Sequence, residues 1–515
     1  MPTYTAPDGT ARAYRVSGEG APLVCLPGGP LRPAAYLGDL GGLSAHRRLI
    51  LPDPPGAGDS AHPAGPDGYC CDRQVAEVEA LRVHLGLDRF DLLAHSAAGS
   101  LALLYALAHP DRVASLTLVT GGTWCAGIPV TGQDWRDALA LRPPEPWYEA
   151  ARALFDENPA PGRPAPDPEA VRAALQPLMY GRWDNAARAH AESRGPAEPG
   201  ADAAYFPAGS GDPAAVRAGL ASLDVPVLVL VGEYDALPTP ARAAELAALL
   251  PDAEVVVQPG AAHFPWVDDP AAFTRIVTAF LDPEVRTVTL GPPAGARLAY
   301  RTWGEEGAPP VVLVHARGES SRSWTGIARE LAATHRVYAV DLRGHGLSDW
   351  PGGYTFERFR DDLRGFIEAL GLAGADVVGH SLGGITAGLL AQECPGLIGR
   401  LVLEDAPPLL PPAALRPVAP RPEDDPGCDW DVVLDTDAQT NQPDPAWTAR
   451  FPEVTAATLV VGGGPSSPVG QDRLAWLAER IPDARLVTID AGHHVHTECP
   501  AEFLAALRDF GIGTR

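Results

Sequence analysis

Asp91-Leu-Leu-Ala-His-Ser-Ala-Ala-Gly-Ser100 and Asp376-Val-Val-Gly-His-Ser-Leu-Gly-Gly-Ile385 are two versions of one pattern in a chain of 515 residues. In each, an apolar strand runs into a sharp turn of small residues around a serine, and an Ala/Leu-rich helix follows. Small neighbours let the backbone bend tightly and present the serine Oγ, the arrangement known as a nucleophile elbow. The stretch occurs twice, so the flanking sequence is read for two copies of one plan.

The flanks repeat too. Pro22–Leu26 reads as a buried strand leading into Pro27-Gly-Gly-Pro30, and Val311–Val314 as its counterpart before His315-Ala-Arg-Gly-Glu319. A strand at Arg48–Leu51 enters Asp53-Pro-Pro-Gly-Ala-Gly-Asp-Ser60, and Val337–Val340 enters Asp341-Leu-Arg-Gly-His-Gly-Leu-Ser348. Both loops spell D-x-x-G-x-G-x-S. Val75, Val78, Leu81 and Leu85 recur with helical period, and apolar β-branched runs alternate with such helices in both halves. That alternation predicts an α/β fold with a mostly parallel sheet flanked by helices on both faces. The expected boundaries are 1–283 and 284–515, two domains of a size usual for this class. Between core strands, residues 121–221 lose the strand pattern and read as a large helical cap. Residues 407–451 read as a shorter, proline-rich one. Trp124, Trp135, Trp147, Tyr148, Tyr180 and Trp183 of the first cap either wall a pocket or pack the cap itself.

The composition excludes several functions. The formal net charge is −25, which argues against a phosphate backbone as partner. No lysine occurs, which removes Schiff-base chemistry and a P-loop lysine. The seven cysteines have no metal-ligand spacing. Their odd number, with no apolar leader at the N-terminus, leads us to expect a reduced, cytoplasmic protein. No apolar run approaches membrane-span length. We expect no cofactor and no metal, and a small-molecule or short-peptide substrate.

A serine hydroxyl needs a base within hydrogen-bond reach, and that base needs an orienting carboxylate. In the first half Ser96 is followed by Asp235 at a strand end and by His263 in the Pro259-Gly-Ala-Ala-His263 turn. We read Ser96 as nucleophile, His263 as base and Asp235 as its orienting acid. The oxyanion donors would be the N–H of Ala97 and of Gly28 or Gly29. In the second half Ser381 and His493 match, with His494 and His496 as rival histidines. Gly462-Gly-Gly-Pro-Ser-Ser467 carries no carboxylate where Asp235 would fall. The acid is therefore sought one strand earlier, in Leu401-Val-Leu-Glu-Asp405, with Asp405 favoured over Glu404. The oxyanion donors there would be Leu382 and Ala316 or Arg317.

With these motifs in place, the whole chain resembles two α/β-hydrolase-fold enzymes in tandem. The first half is similar to proline iminopeptidase-type hydrolases. Pro27-Gly-Gly-Pro30 stands where that group has a His-Gly-Gly-Pro-Gly loop, and Ala98 stands where its elbow has glycine. The resemblance implies removal of an N-terminal residue with help from acidic cap groups, for which Glu145, Glu149 and Asp184 are the candidates. The second half, with Gly379-His-Ser-Leu-Gly383, resembles general esterase and cofactor-free haloperoxidase-like α/β-hydrolases. The resemblance as a whole implies cleavage of small esters or amides through an acyl-enzyme. The alternatives are one catalytic half beside a binding half, or a perhydrolase, acyltransferase or lyase on the same fold.

Overall fold

The computed structural model describes residues 1–155, 168–194, 201–207, 211–292, 295–412, 414–418, 420–422 and 426–514. The chain divides into two compact units, Met1–Leu281 and Asp282–Arg515.

The first unit builds β1 (Thr3–Thr5), β2 (Ala11–Ser17), β3 (Pro22–Leu26), β4 (Arg48–Pro52), β5 (Phe90–His95), β6 (Val113–Val119), β7 (Val227–Gly232) and β8 (Ala253–Gln258). They form one sheet in the order β1-β2-β4-β3-β5-β6-β7-β8. The β1–β2 and β2–β4 pairs are antiparallel, and the rest are parallel. The second unit repeats this with β9 (Val285–Thr289), β10 (Arg297–Trp303), β11 (Pro310–Val314), β12 (Arg336–Val340), β13 (Ala375–His380), β14 (Ile398–Glu404), β15 (Ala457–Gly462) and β16 (Ala484–Thr488). Its order, β9-β10-β12-β11-β13-β14-β15-β16, is the same topology strand for strand.

Strand residues alternate between two cores, so strands buried on both faces read as unbroken apolar runs. Val24 and Leu26 pack with the helices Cys71–His84 and Ala98–Ala108, while Leu23 and Cys25 pack with Phe273, Ile276 and Val277 of Pro270–Leu281. In the second unit Val312 and Val314 meet Phe359, Leu363 and Phe366, spaced along one face of Phe356–Ala369. Val311 and Leu313 meet Phe503 and Leu507 of Pro500–Asp509 on the other face. The Phe356 helix starts where Thr355 Oγ1 accepts the Arg358 N–H, and a left-handed Gly371 lies just past its end.

The repeated D-x-x-G-x-G-x-S loop has the same construction in both units. Asp53 Oδ1 accepts the Ala34 N–H at 2.8 Å, and Asp341 Oδ1 accepts that of Ser321 at 2.6 Å. Ser60 and Ser348 donate back to the carbonyls of Asp53 and Asp341, at 2.7 and 2.6 Å. A Cβ on Gly58 or Gly346 would lie 2.3 or 2.4 Å from the aspartate Oδ2, and both glycines have positive φ. The motif is a staple that ties the loop after one strand to the loop after its neighbour.

Between β6 and β7 the regular elements among the described residues are helices, including Gly132–Ala140, Tyr148–Arg152, Asn185–Ser193 and Pro213–Leu220. Of the expected cap, residues 156–167, 195–200 and 208–210 lie outside the described ones, as do 413, 419 and 423–425 of the shorter one. Most of the cap aromatics pack rather than wall a pocket. Trp135 stacks on Phe155, Tyr180 is fully buried against Phe264, and Arg142 lies over the Trp147 ring. Trp124 does line a cavity of about 420 Å³, with Cys70, Cys125 and Phe206.

Candidate active sites

Each elbow serine follows a central strand and has positive φ, +53° for Ser96 and +50° for Ser381. The turn is held from both sides. Ser96 N–H donates to Val119 O at the end of β6, and Gly99 and Gly122 N–H donate to Ser96 O. In the second unit Ser381 N–H donates to Glu404 O, and Ile385 N–H to Ser381 O.

In the first unit the hydroxyl, imidazole and carboxylate form a continuous chain. His263 Nε2 lies 2.9 Å from Ser96 Oγ, and its Nδ1 is 3.1 Å from Asp235 Oδ2 and 3.2 Å from Oδ1. Asp235 and His263 are nearly inaccessible, and Ser96 is partly exposed. Asp235 Oδ1 also accepts the Leu237 N–H, which fixes the carboxylate just after β7.

The second unit reaches a related geometry with the acid elsewhere. His493 Nδ1 is 2.7 Å from Asp405 Oδ2, and Asp405 is fully buried. Asp405 also accepts the Gly463 N–H at 3.0 Å and the Ser467 hydroxyl, so the carboxylate-free loop after β15 supplies donors to an acid held by β14. Burial alone would raise the Asp405 pKa, but the bonds from His493, Ser467 and Gly463 hold it below the usual carboxylate value. Asp405 and Thr120 occupy matching sites. Both have positive φ one residue past their strand, and their N–H groups donate to Val461 O and Leu230 O respectively, each at 2.7 Å. Glu404 turns away from His493 and meets His496 Nδ1 at 2.9 Å, both fully or nearly buried. Ser381 and His493 line one cavity of about 390 Å³ with Arg317, Arg416 and Arg473, but no hydrogen bond joins Ser381 Oγ to His493.

Two of the backbone donors read from the sequence have hydrogen-bond partners in this structure. The Gly28 N–H donates to Tyr36 Oη at 2.8 Å, and the Ala316 N–H to Glu319 Oε2 at 3.3 Å. Ala97 and Leu382 stand at the starts of the helices that follow the two serines. The cap acids also have structural partners. Glu145 accepts the Trp147 indole N–H, Glu149 pairs with Arg152 at the surface, and Asp184 caps Asn185–Ser193.

The residue before each serine has a positioning role that sequence reading missed. His95 Nε2 donates to His263 O at 3.0 Å, and His380 Nε2 to His493 O at 2.8 Å, bracing the loop that carries each imidazole. The signal was a histidine before the serine in both elbows. Burial pushes the His95 pKa well below the usual histidine value. For His380 burial acts the same way, but Glu404 and Glu319 outweigh it and the net shift is upward.

Neutral buried histidines make the first unit acid-sensitive. His95 lies well below the ordinary value, and burial pushes His190 down to about 4. Below about pH 6.5 the unfolded chain binds protons that these two side chains refuse in the fold. Their stabilisation is complete above that pH and falls by about 1.4 kcal/mol per pH unit for each histidine. Asp268, raised to about 6 by burial, acts oppositely between its ordinary value and 6, because the fold then holds the extra proton. Two losses outweigh one gain, so the urea midpoint of the first unit is expected to drop between pH 7 and 5. His190→Gln is expected to reduce that drop, and equal drops in both proteins would contradict the assignment.

The alpha/beta hydrolase fold family model matches residues 21–270 and 309–427. An uncharacterised Mycobacterium tuberculosis protein is 37% identical over 113 residues, covering 22% of this chain and 33% of its own. The chain thus spans about a third of the length of the first such relatives. An sn-1-specific diacylglycerol lipase of Mus musculus is 26% identical over 252 residues, 40% of this chain and 82% of the lipase. Among solved structures, the proline iminopeptidase of Mycobacterium smegmatis aligns with 54% of this chain and 97% of its own at 24% identity, with a TM-score of 0.44. Among the described residues no helix is long and apolar enough to cross a membrane. With the family match reaching into both units and the same strand order in each, the chain belongs to the alpha/beta hydrolase fold family and carries that fold twice.

Proposed function

We propose that the protein is a serine hydrolase cleaving small ester or amide substrates through an acyl-enzyme, with a Ser-His-Asp triad in each unit. The observation that carries this reading is the hydrogen-bond chain Ser96–His263–Asp235, with links of 2.9 and 3.1 Å. In this mechanism His263 takes the Ser96 proton as Oγ attacks the carbonyl carbon, and Asp235 stabilises the resulting imidazolium. The N–H groups of Ala97 and Gly29 receive the developing oxyanion. The leaving group takes the proton from His263, and water then releases the acyl group by the same steps in reverse roles. In the second unit Ser381, His493 and Asp405 take these parts, with Leu382 and Arg317 as oxyanion donors.

The structural partners of Glu145, Glu149 and Asp184 favour a general ester or amide over a substrate held by its free α-amine. No disulfide links the cysteines among the described residues, which supports a reducing, cytoplasmic setting.

A fluorophosphonate probe read by intact mass tests the proposal. Two adducts per chain are expected, one in each single variant (Ser96→Ala or Ser381→Ala) and none in the double variant. An adduct on the double variant would remove both assigned nucleophiles. A single adduct at Ser96 would instead favour a non-catalytic second unit, a reading motivated by the missing Ser381–His493 bond.

A further inference from the structure

Beneath the second elbow lies a group of ionisable side chains that the proposed chemistry does not use. Glu319, His380 and His494 each bring one donor atom to within 4.8 Å of the others. His380, Glu404 and His496 do the same, sharing His380.

The first unit shows what this place holds when it is not charged. Strand ends and the catalytic histidines set the correspondence: Leu31 for Glu319, Val119 for Glu404, Phe264 for His494 and Trp266 for His496. All four first-unit residues are buried and apolar. In that unit His95 Nδ1 is engaged by Tyr36 Oη at 2.6 Å. In the second, Trp324 replaces the tyrosine and stacks on His496 at 4.0 Å, offering His380 no hydroxyl. Glu404 and His496 are buried and Glu319 is largely so where the first unit has apolar side chains, and two carboxylates are costly to place there without a balancing charge.

His380 also has the atomic arrangement of a ligand. Its Nε2 donates to the His493 carbonyl, so in the neutral ring the lone pair is on Nδ1. That Nδ1 is buried and has no hydrogen-bond partner. It faces Glu319 Oε2 across 3.6 Å, and Glu319 Oε1 lies 2.9 Å from His494 Nδ1. A gap of 3.6 Å is long for an N–H···O bond. It matches the roughly 3.4 Å between two ligands of a tetrahedral ion with bonds of about 2.1 Å. An imidazole fixed through its far nitrogen by a backbone carbonyl is the usual outer support of a metal-ligating histidine.

We infer that Glu319, His380 and His494 bind a first-row transition dication of the zinc type, with Glu404 and His496 as a buried supporting pair behind it. Two imidazoles and one carboxylate suit such an ion better than calcium or magnesium, which prefer all-oxygen ligands. His494 is half-exposed and gives the ion its way in, and a fourth position is left for water. The two glutamate charges balance the dication. A proton on His380 is the competing way to fill the gap.

The test uses the full chain and cobalt(II), whose visible spectrum separates nitrogen and oxygen ligands from cysteine. One cobalt per chain is expected, with ligand-field bands and no thiolate charge-transfer band. His494→Gln and Glu319→Gln are each expected to weaken binding by about 10- to 100-fold or more. The melting temperature of the half-exposed His494→Gln variant should stay near that of the parent. Absence of stoichiometric cobalt, unchanged affinity in both variants, or a thiolate band would each overturn the site.

Discussion

Ser96→Ala is expected to lower turnover by the first unit by about 10⁶-fold, as loss of a triad nucleophile does elsewhere. The size follows from how the three groups act together. His263 already lies 2.9 Å from Ser96 Oγ, so base and nucleophile are prepared in the resting protein. Without the hydroxyl there is no acyl-enzyme, and what remains comes from the oxyanion donors and substrate positioning. The measurement is kcat/KM on a panel of small esters in a Ser381→Ala background, so the second unit does not mask the loss. Retention of most of the activity in Ser96→Ala/Ser381→Ala would move the nucleophile elsewhere.

Asp405→Asn is expected to lower turnover by the second unit by about 10⁴-fold, the scale seen when a triad aspartate becomes an amide. Asparagine fits the space but presents an N–H₂ or a neutral oxygen to His493 Nδ1, and neither stabilises an imidazolium as a carboxylate does. It also lacks the charge that the Gly463 and Ser467 donors now serve. The comparison variant is Glu404→Gln. Glu404 contacts His496 rather than His493, so its loss should act on stability more than on turnover. Kinetics in a Ser96→Ala background, beside urea denaturation, separate the two carboxylates. A larger fall in turnover for Glu404→Gln than for Asp405→Asn would reverse their roles.

Local sequence carried the architecture well. The elbows, the repeated D-x-x-G-x-G-x-S loops and the alternation of strands with helices are short-range patterns, and each is set by backbone geometry that only certain residues allow. Choices among tertiary partners were less legible. Glu404 and Asp405 are adjacent, but neighbouring strand residues point to opposite faces. The positive φ of Asp405 turns it to His493, while Glu404 turns to His496. Gly28 and Gly29 could not be separated without knowing that Tyr36 occupies the Gly28 N–H. Whether Tyr180 and Trp135 wall a pocket or pack the cap stayed open in the sequence, because composition does not tell a packed ring from an exposed one. The histidines before the serines were in plain view, but their bonds to His263 O and His493 O join positions far apart in sequence.

The matching sites of Thr120 and Asp405 bear on how two such units diverge. The ends of neighbouring strands can each deliver a carboxylate to the same imidazole nitrogen, from Asp235 in one unit and Asp405 in the other. With a carboxylate available at either strand end, the place of the acid can differ between two units of one topology while the imidazole keeps a partner at the same nitrogen.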